Sequence, residues 1–289
     1  MQSIENAQLK ILINEKGAEL KSAFHLLHKI EYMWSGNPAY WAKTSPVLFP
    51  IVGELKNKSY FYNGKTYSLS RHGFARDKTF LVTEQSDASV TFSIQSDEST
   101  LAVYPFPFLF SIIYTLNDDS LQVTYRVQNT GDDEMFFSVG GHPAFKLPLV
   151  DGTKYEDYKL VFEKEENLER WPISKEGLIE KEPQLLLKNS HELPLSKDLL
   201  KNDALVFKHL QSRFVKLVSD KTPRGLHFDF TGFPFLGIWA ASGADFLCIE
   251  PWQGIADSVD ADQQLQHKEG IVTLPVGEEF KLSWDVQFF

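Results

Sequence analysis

Apolar residues recur at every second position along most of this chain. Residues 120–128 (SLQVTYRVQ) set Leu121, Val123, Tyr125 and Val127 against polar neighbours. Residues 89–96 repeat the pattern with Val90, Phe92 and Ile94, and residues 280–288 with Phe280, Leu282, Trp284, Val286 and Phe288. A period of two marks strands with one face in the core and the other in solvent. Asn63-Gly64 within YFYNGKTYSL accepts the positive φ of a tight hairpin turn, and NTGDDE (129–134) reads as a turn between two strands. In GLHFDFTG (225–232), Leu226, Phe228 and Phe230 alternate with His227, Asp229 and Thr231, which read as a solvated strand face. Helical spacing is rare; SKDLLKND (196–203) has enough for one or two turns. So many strands at hairpin spacing predict an all-β fold, a large antiparallel sandwich.

No repeat or low-complexity tract interrupts this pattern. The most polar stretch, residues 150–200, holds EKEENLERW and SKEGLIEKEPQ, yet strands flank it and no Pro/Gly/Ser-rich hinge occurs. It reads as an elaboration of a single domain spanning residues 1–289. With 43% hydrophobic residues and 23 Phe in 289, the chain has material for one large core. Its net charge of −10, without a basic block, argues against nucleic acid or an anionic membrane as partner. A single cysteine, Cys248, leaves no intramolecular disulfide and suits a reducing cytosol. The N-terminal segment MQSIENAQLKILINEKGAEL lacks the basic start and apolar run of a signal peptide. No window reaches the roughly 18–20 apolar residues of a spanning helix. A soluble, cytoplasmic protein is expected.

Three stretches set reactive side chains among strand-breaking residues: RHGFAR (71–76), GGHPAF (140–145) and CIEPWQG (248–254). Gly and Pro weaken or end a strand, and loops on a rigid sheet are common places for binding and catalysis. Taken alone, His142 reads more readily as a histidine bonded to a neighbouring carbonyl, and His72 equally well as a surface residue. Glu250 is different. It follows the apolar run DFLCI and precedes Pro251-Trp252, so burial is expected, and a buried carboxylate needs partners. His25 and His28 have a spacing that a helix would bring together, but no acidic or cysteine ligand lies near them, and no metal site is predicted. There is no phosphate-cradling glycine loop and no nucleophile elbow. Cys248 reads as a packed core residue. A carboxylate base and a histidine acid beside an aromatic face suit acid–base chemistry on a sugar. A glycosidase would need a second acid, for which Asp229 and Asp257 are the candidates.

SPVLFPIVG (45–53), RHGFARDKTF (71–80), SVGGHPAF (138–145) and CIEPWQGIAD (248–257), in this order, closely resemble the aldose 1-epimerase (galactose mutarotase-like) family and its LacX-type branch. The resemblance runs over nearly the whole chain. It implies a galactose mutarotase-like β-supersandwich that interconverts the α- and β-anomers of an aldose hexose, without cofactor or metal, as a monomer or homodimer. It further implies Glu250 as catalytic base and His142 as catalytic acid, with His72, Arg71, Arg76 and Asp203 binding the sugar. Glu250 and His142 are then expected to face each other across a pocket with the pyranose between them, Glu250 ionised and His142 protonated. Gly140-Gly141 are expected to let backbone and sugar approach closely. Three positions depart from the family pattern. Arg71 stands where relatives usually have Gln, Glu54 stands where LacX-like relatives often have Arg, and the arginine before PVLFP is missing, its place falling near Ala42 or Lys43. Arg76 fits a position that hexose-6-phosphate mutarotases use for phosphate. The alternatives are such a sugar-phosphate mutarotase, or a non-catalytic sugar-binding or regulatory protein on the same scaffold.

Overall fold

In the computed structural model, which describes residues 1–201 and 203–289, Phe49 and Phe110 stack ring on ring at 4.4 Å where two sheets meet. Phe110 belongs to a nine-stranded antiparallel sheet. Its order is Gln184–Pro194, Tyr158–Arg170, Phe214–Ser219, Thr222–Asp229, Glu279–Phe288, Ser120–Asn129, Phe108–Asn117, Ser89–Gln95 and Leu81–Gln85. The register explains the alternating sequence. Val123 lies opposite both Tyr114 and Trp284, and Leu121 opposite Leu116 and Val286, so the apolar positions of three strands form one buried face. On the other face hydroxyls pair across strands, Ser93 with Ser111 and Thr124 with Ser283, each at 2.8 Å.

Facing this is a six-stranded sheet that carries the site. Leu205–Phe207, Phe235–Trp239, Phe246–Gln253, Val139–Gly141 and Val47–Leu48 follow in order, and Ala144–Lys146 also pairs with Phe246–Gln253. Phe246–Gln253 is buried over all but its last residue, because both of its faces are covered. Leu247 lies opposite Phe145, whose ring meets Phe228 of the nine-stranded sheet at 5.9 Å. Cys248, Glu250 and Trp252 leave the other face. A four-stranded N-terminal sheet, from Gln2–Glu5 to Ile30–Glu31, is tied in by the Tyr114 hydroxyl donating to the Ala18 carbonyl (2.7 Å) and by Tyr32 donating to the Phe289 carbonyl (2.7 Å).

The hairpin expected at Asn63-Gly64 forms between Ser59–Tyr62 and Lys65–Ser68, with φ of 48° and 72° at the turn. The helical spacing after Ser196 becomes the 3₁₀ turn Lys197–Leu200. The polar stretch 150–200 is two long paired strands, Tyr158–Arg170 and Gln184–Pro194, at the edge of the large sheet, and its exposed edge position accounts for the polarity. His25 ends the strand Glu19–His25 and stacks on His28 at 4.0 Å; the helix that would have made this a ligand pair is not there. Among the described residues no helix is long and apolar enough to cross a membrane.

Because the two sheets share one core, the chain is expected to unfold as a single cooperative unit. Urea transitions followed by far-UV circular dichroism and by tryptophan fluorescence should coincide. Two separable transitions, each retained by an isolated fragment, would contradict this.

Candidate active site

The pairing of Gly140 with Trp252 resumes, after an interruption, as Ala144 with Cys248, four residues on along one strand and four back along the other. His142 therefore stands opposite Glu250. The ladder breaks at this point because Pro143 has no N–H to donate; its carbonyl accepts from the Ile249 N–H at 3.3 Å. The result is a cross-strand contact, His142 Nε2 to Glu250 Oε2 at 3.3 Å, with the side chains 11% and 2% exposed. The expectation that a pyranose separates the two residues is corrected by this distance. Neither Glu250 Oε2 nor His142 Nδ1 has a hydrogen-bond partner among the described residues.

The role expected for Gly140-Gly141 is also corrected. A Cβ at Gly140 would lie 2.8 Å from the Trp252 ring, and one at Gly141 would lie 2.7 Å from the Tyr125 hydroxyl. These glycines let the sheet close on Trp252 and on the Tyr125–Trp284 hydrogen bond beneath it. Sequence reasoning passed over the aromatic surround of His142. Trp41 stacks on its ring at 4.9 Å, and Trp239 meets it edge-on at 5.4 Å. Trp41 is anchored at both ends of its segment: the Asn37 carbonyl accepts its N–H, and the buried Glu19 carboxylate accepts the N–H groups of Thr44 and Ser45.

His72 is buried, which settles its ambiguity, and sits in the left-handed region at φ 69°. It exchanges two hydrogen bonds with Gly53: its N–H donates to the Gly53 carbonyl (2.8 Å), and the Gly53 N–H donates to its Nδ1 (3.1 Å). With Nδ1 committed as acceptor, the ring proton of neutral His72 resides on Nε2. Its ring meets that of His142 edge-on at 5.9 Å.

His72, His142 and Glu250 line a cavity of about 550 Å³, together with Arg71, Arg76, Asp203 and Trp41, Trp239 and Trp252. All six residues singled out from the sequence thus meet in one place. The cavity is also bounded by Lys201 and by Ile173, Gly177 and Ile179 of the loop between the two long edge strands. Arg76 donates to the Arg71 carbonyl (2.8 Å) and lies 3.9 Å from the Asp77 carboxylate. The two candidate second acids lie elsewhere. Asp257 is bound to Lys268 at 2.7 Å, both buried, and Asp229 stands opposite Asp285 on the large sheet.

Burial dominates the electrostatics. It holds the Glu250 carboxyl well above the usual carboxylate range, against the opposing pull of the Arg71 charge and the Trp252 indole. Burial also drives His142 down to about 3, and the Arg71 and Arg76 charges push the same way. His72 is lowered by burial and then by His142 and the two arginines. Burial thus works against the expected carboxylate and imidazolium, raising Glu250 and lowering His142, each toward its neutral form.

The sequence profile described as aldose 1-epimerase matches residues 1–271. The chain belongs to the aldose 1-epimerase family. It is 34% identical to protein LacX (chromosomal) of Lactococcus lactis subsp. lactis, over 98% of this chain and 97% of that protein. A galactose mutarotase related enzyme from Lactobacillus acidophilus superposes with a TM-score of 0.95 at 38% identity, covering 100% of this chain and 97% of that one. A galactose mutarotase-like protein from Lactobacillus casei gives 0.93 at 32% identity, with both chains fully covered. The fold is the galactose mutarotase-like β-supersandwich. Lys43, near the place of the missing arginine, lies 3.5 Å from the Asp77 carboxylate. Glu54 lines an adjoining cavity that shares Arg71 and Gly177.

The depressed His142 makes a stability prediction. Above its unfolded value of 6.5 the imidazole is neutral in both states; below it, the unfolded chain gains a proton that the folded one refuses. The contribution is therefore lost as pH falls from 6.5 toward 3. Glu250 has the opposite sign, since the folded chain keeps a proton that the unfolded one releases above 4.5. Comparing the parent with His142→Gln isolates the first effect. The stability gap, parent minus variant, should widen by on the order of 1–2 kcal/mol between pH 4.5 and 6.5. A gap that is flat or narrows in urea unfolding would contradict a neutral, buried His142.

Proposed function

We propose that this protein is a mutarotase that opens and recloses the ring of an aldose hexose, with Glu250 as base and His142 as acid. The observation that carries the reading is their 3.3 Å cross-strand contact at the floor of the cavity. In a cyclic hemiacetal the hydroxyl oxygen O1 and the ring oxygen O5 are borne by the same carbon. An acid and a base that act on them together must therefore be neighbours.

In the reaction, the Glu250 carboxylate takes the O1 proton while the His142 imidazolium gives a proton to O5. The C1–O5 bond breaks, C1–O1 becomes a carbonyl, and the open-chain aldehyde is free to rotate about C1–C2. Reversal of both transfers on the other carbonyl face closes the ring as the other anomer and restores the pair. Carboxylate plus imidazolium holds the same number of protons as carboxyl plus imidazole, so one shift from Glu250 to His142 arms the site without a proton from solvent. Burial makes the armed pair reactive: it strengthens the carboxylate as a base and the imidazolium as an acid. Each positioned transfer is worth about 10²–10⁴ in rate. His72 offers its Nε2–H to a sugar oxygen, Asp203 and Arg71 bind hydroxyls, and the tryptophan faces pack against the apolar side of the ring.

Glu250→Gln keeps the shape and removes the base, so anomer exchange measured by NMR saturation transfer should fall by about 10² or more, with sugar affinity changed far less. Exchange at the parent rate would remove Glu250 from the mechanism and favour a sugar-binding protein without catalysis.

The substrate is proposed to be a neutral aldose such as galactose or glucose. Two of the cations near the phosphate-type position, Arg76 and Lys43, are turned toward Asp77, and the overall charge of −10 gives an anion no general steering. Arg71→Gln should shift sugar preference little, and inorganic phosphate should not compete. A preference for glucose 6-phosphate over glucose and galactose of about tenfold or more at matched salt, lost in Arg76→Ala, would overturn this choice.

A further inference from the structure

His142, Cys248 and Glu250 each place a ligand atom within 4.8 Å of the others, and all three are buried. Cys248 precedes Glu250 by two residues on Phe246–Gln253, so both side chains leave the strand on the face that His142 meets. Glu250 Oε2 has no hydrogen-bond partner among the described residues, and it stands 3.3 Å from His142 Nε2. That separation is already the edge of a tetrahedron built on Zn–N and Zn–O bonds of about 2.0 Å; a Zn–S bond of about 2.3 Å asks the thiol to draw in by roughly an ångström.

We propose that these three side chains form an inhibitory site for a borderline-soft divalent cation of the zinc class. The cation takes the carboxylate, the imidazole and the Cys248 thiolate as ligands and leaves a fourth position toward the cavity. The thiol proton leaves to solvent on binding. Hard cations that take oxygen ligands, magnesium and calcium, are poorly served by a set of one sulfur, one nitrogen and one oxygen. Cation and sugar need the same atoms of Glu250 and His142, so they exclude each other. That exclusion rests on the proposed function; the metal site itself does not.

The test uses the full chain. Zinc chloride titrated in a calorimeter should show one tight site per chain, absent with magnesium. Cobalt(II) should give a thiolate-to-metal charge-transfer band with the intensified d–d bands of tetrahedral coordination. Cys248→Ser and Cys248→Ala should each weaken zinc binding by at least the factor of about ten that loss of an outer-shell partner costs, and leave sugar turnover within about twofold of the parent. In the parent, zinc inhibition should be relieved by added sugar and by EDTA. Absence of the charge-transfer band in the parent overturns the proposal even if both variants fail to fold. Zinc binding unchanged in a folded Cys248 variant, or matched by magnesium, overturns it as well. If the parent exchanges no anomers while the cobalt spectrum and the Cys248 variants behave as expected, the metal site stands and the mutarotase reading falls.

Discussion

A buried carboxyl and a buried imidazole held in contact at the bottom of a cleft are the constraint around which the sheet is arranged. Removing two ionisable groups from water costs several kcal/mol per ion unless they stay neutral or are closely paired. Here both are available, because one proton shared between Glu250 and His142 yields either a neutral pair or an ion pair at 3.3 Å. Burial favours the neutral form, raising Glu250 and lowering His142. In the proposed reaction the cost of the charged form is what makes it useful, since a desolvated carboxylate seeks a proton and a desolvated imidazolium sheds one. Solvating the floor of the cleft would weaken both partners together.

Contact of this kind demands rigid support. The six-stranded sheet supplies register, and the nine-stranded sheet fixes its back through the Phe49–Phe110 and Phe145–Phe228 contacts. The loops are fastened separately. Buried Asp257 accepts from Lys268 at 2.7 Å and from the Lys56 N–H at 2.9 Å, and it shares backbone bonds with Glu54 and with Ile179 of the cavity wall. Asp257, through its backbone and its carboxylate, thus ties together the segment that carries Gly53 and the loop that bounds the cavity. Gly53 in turn sets the tautomer of His72 through its N–H. Removing either partner of the Asp257–Lys268 pair would leave an uncompensated buried charge, which would act on the site through geometry alone.

Much of this was readable in the chain before folding, for a physical reason. Strands with one wet face must alternate, so residues 89–96, 120–128 and 280–288 declare themselves. Phe246–Gln253 is covered on both faces and loses that signal; only the lone charge inside its apolar run betrayed Glu250. The contact of His142 with Glu250 was within reach, because antiparallel pairing of GGHPAF with CIEPWQ brings them opposite in one register. The register itself is set by long-range packing that local pattern does not encode. Trp41 and Trp239 left no trace, since a loop tryptophan and a strand-end tryptophan follow no periodicity, and stacking on His142 exists only in three dimensions. Gly140-Gly141 were correctly seen as unusual and assigned to the wrong neighbour. Tight approach by Trp252 or by a sugar leaves the same mark in a sequence.

Arg71 extends the same electrostatic logic to one of the departures from the family pattern. Its charge lowers Glu250, His142 and His72 alike, so it favours release of a proton from each of these three. On Glu250 this opposes burial and brings the carboxylate within reach; on His142 it adds to burial and sharpens the acid. A glutamine at the same place would offer comparable hydrogen bonds to a sugar but no field. Arginine at position 71 therefore adds a field that a glutamine would lack, one that promotes ionisation of Glu250 and opposes protonation of His142.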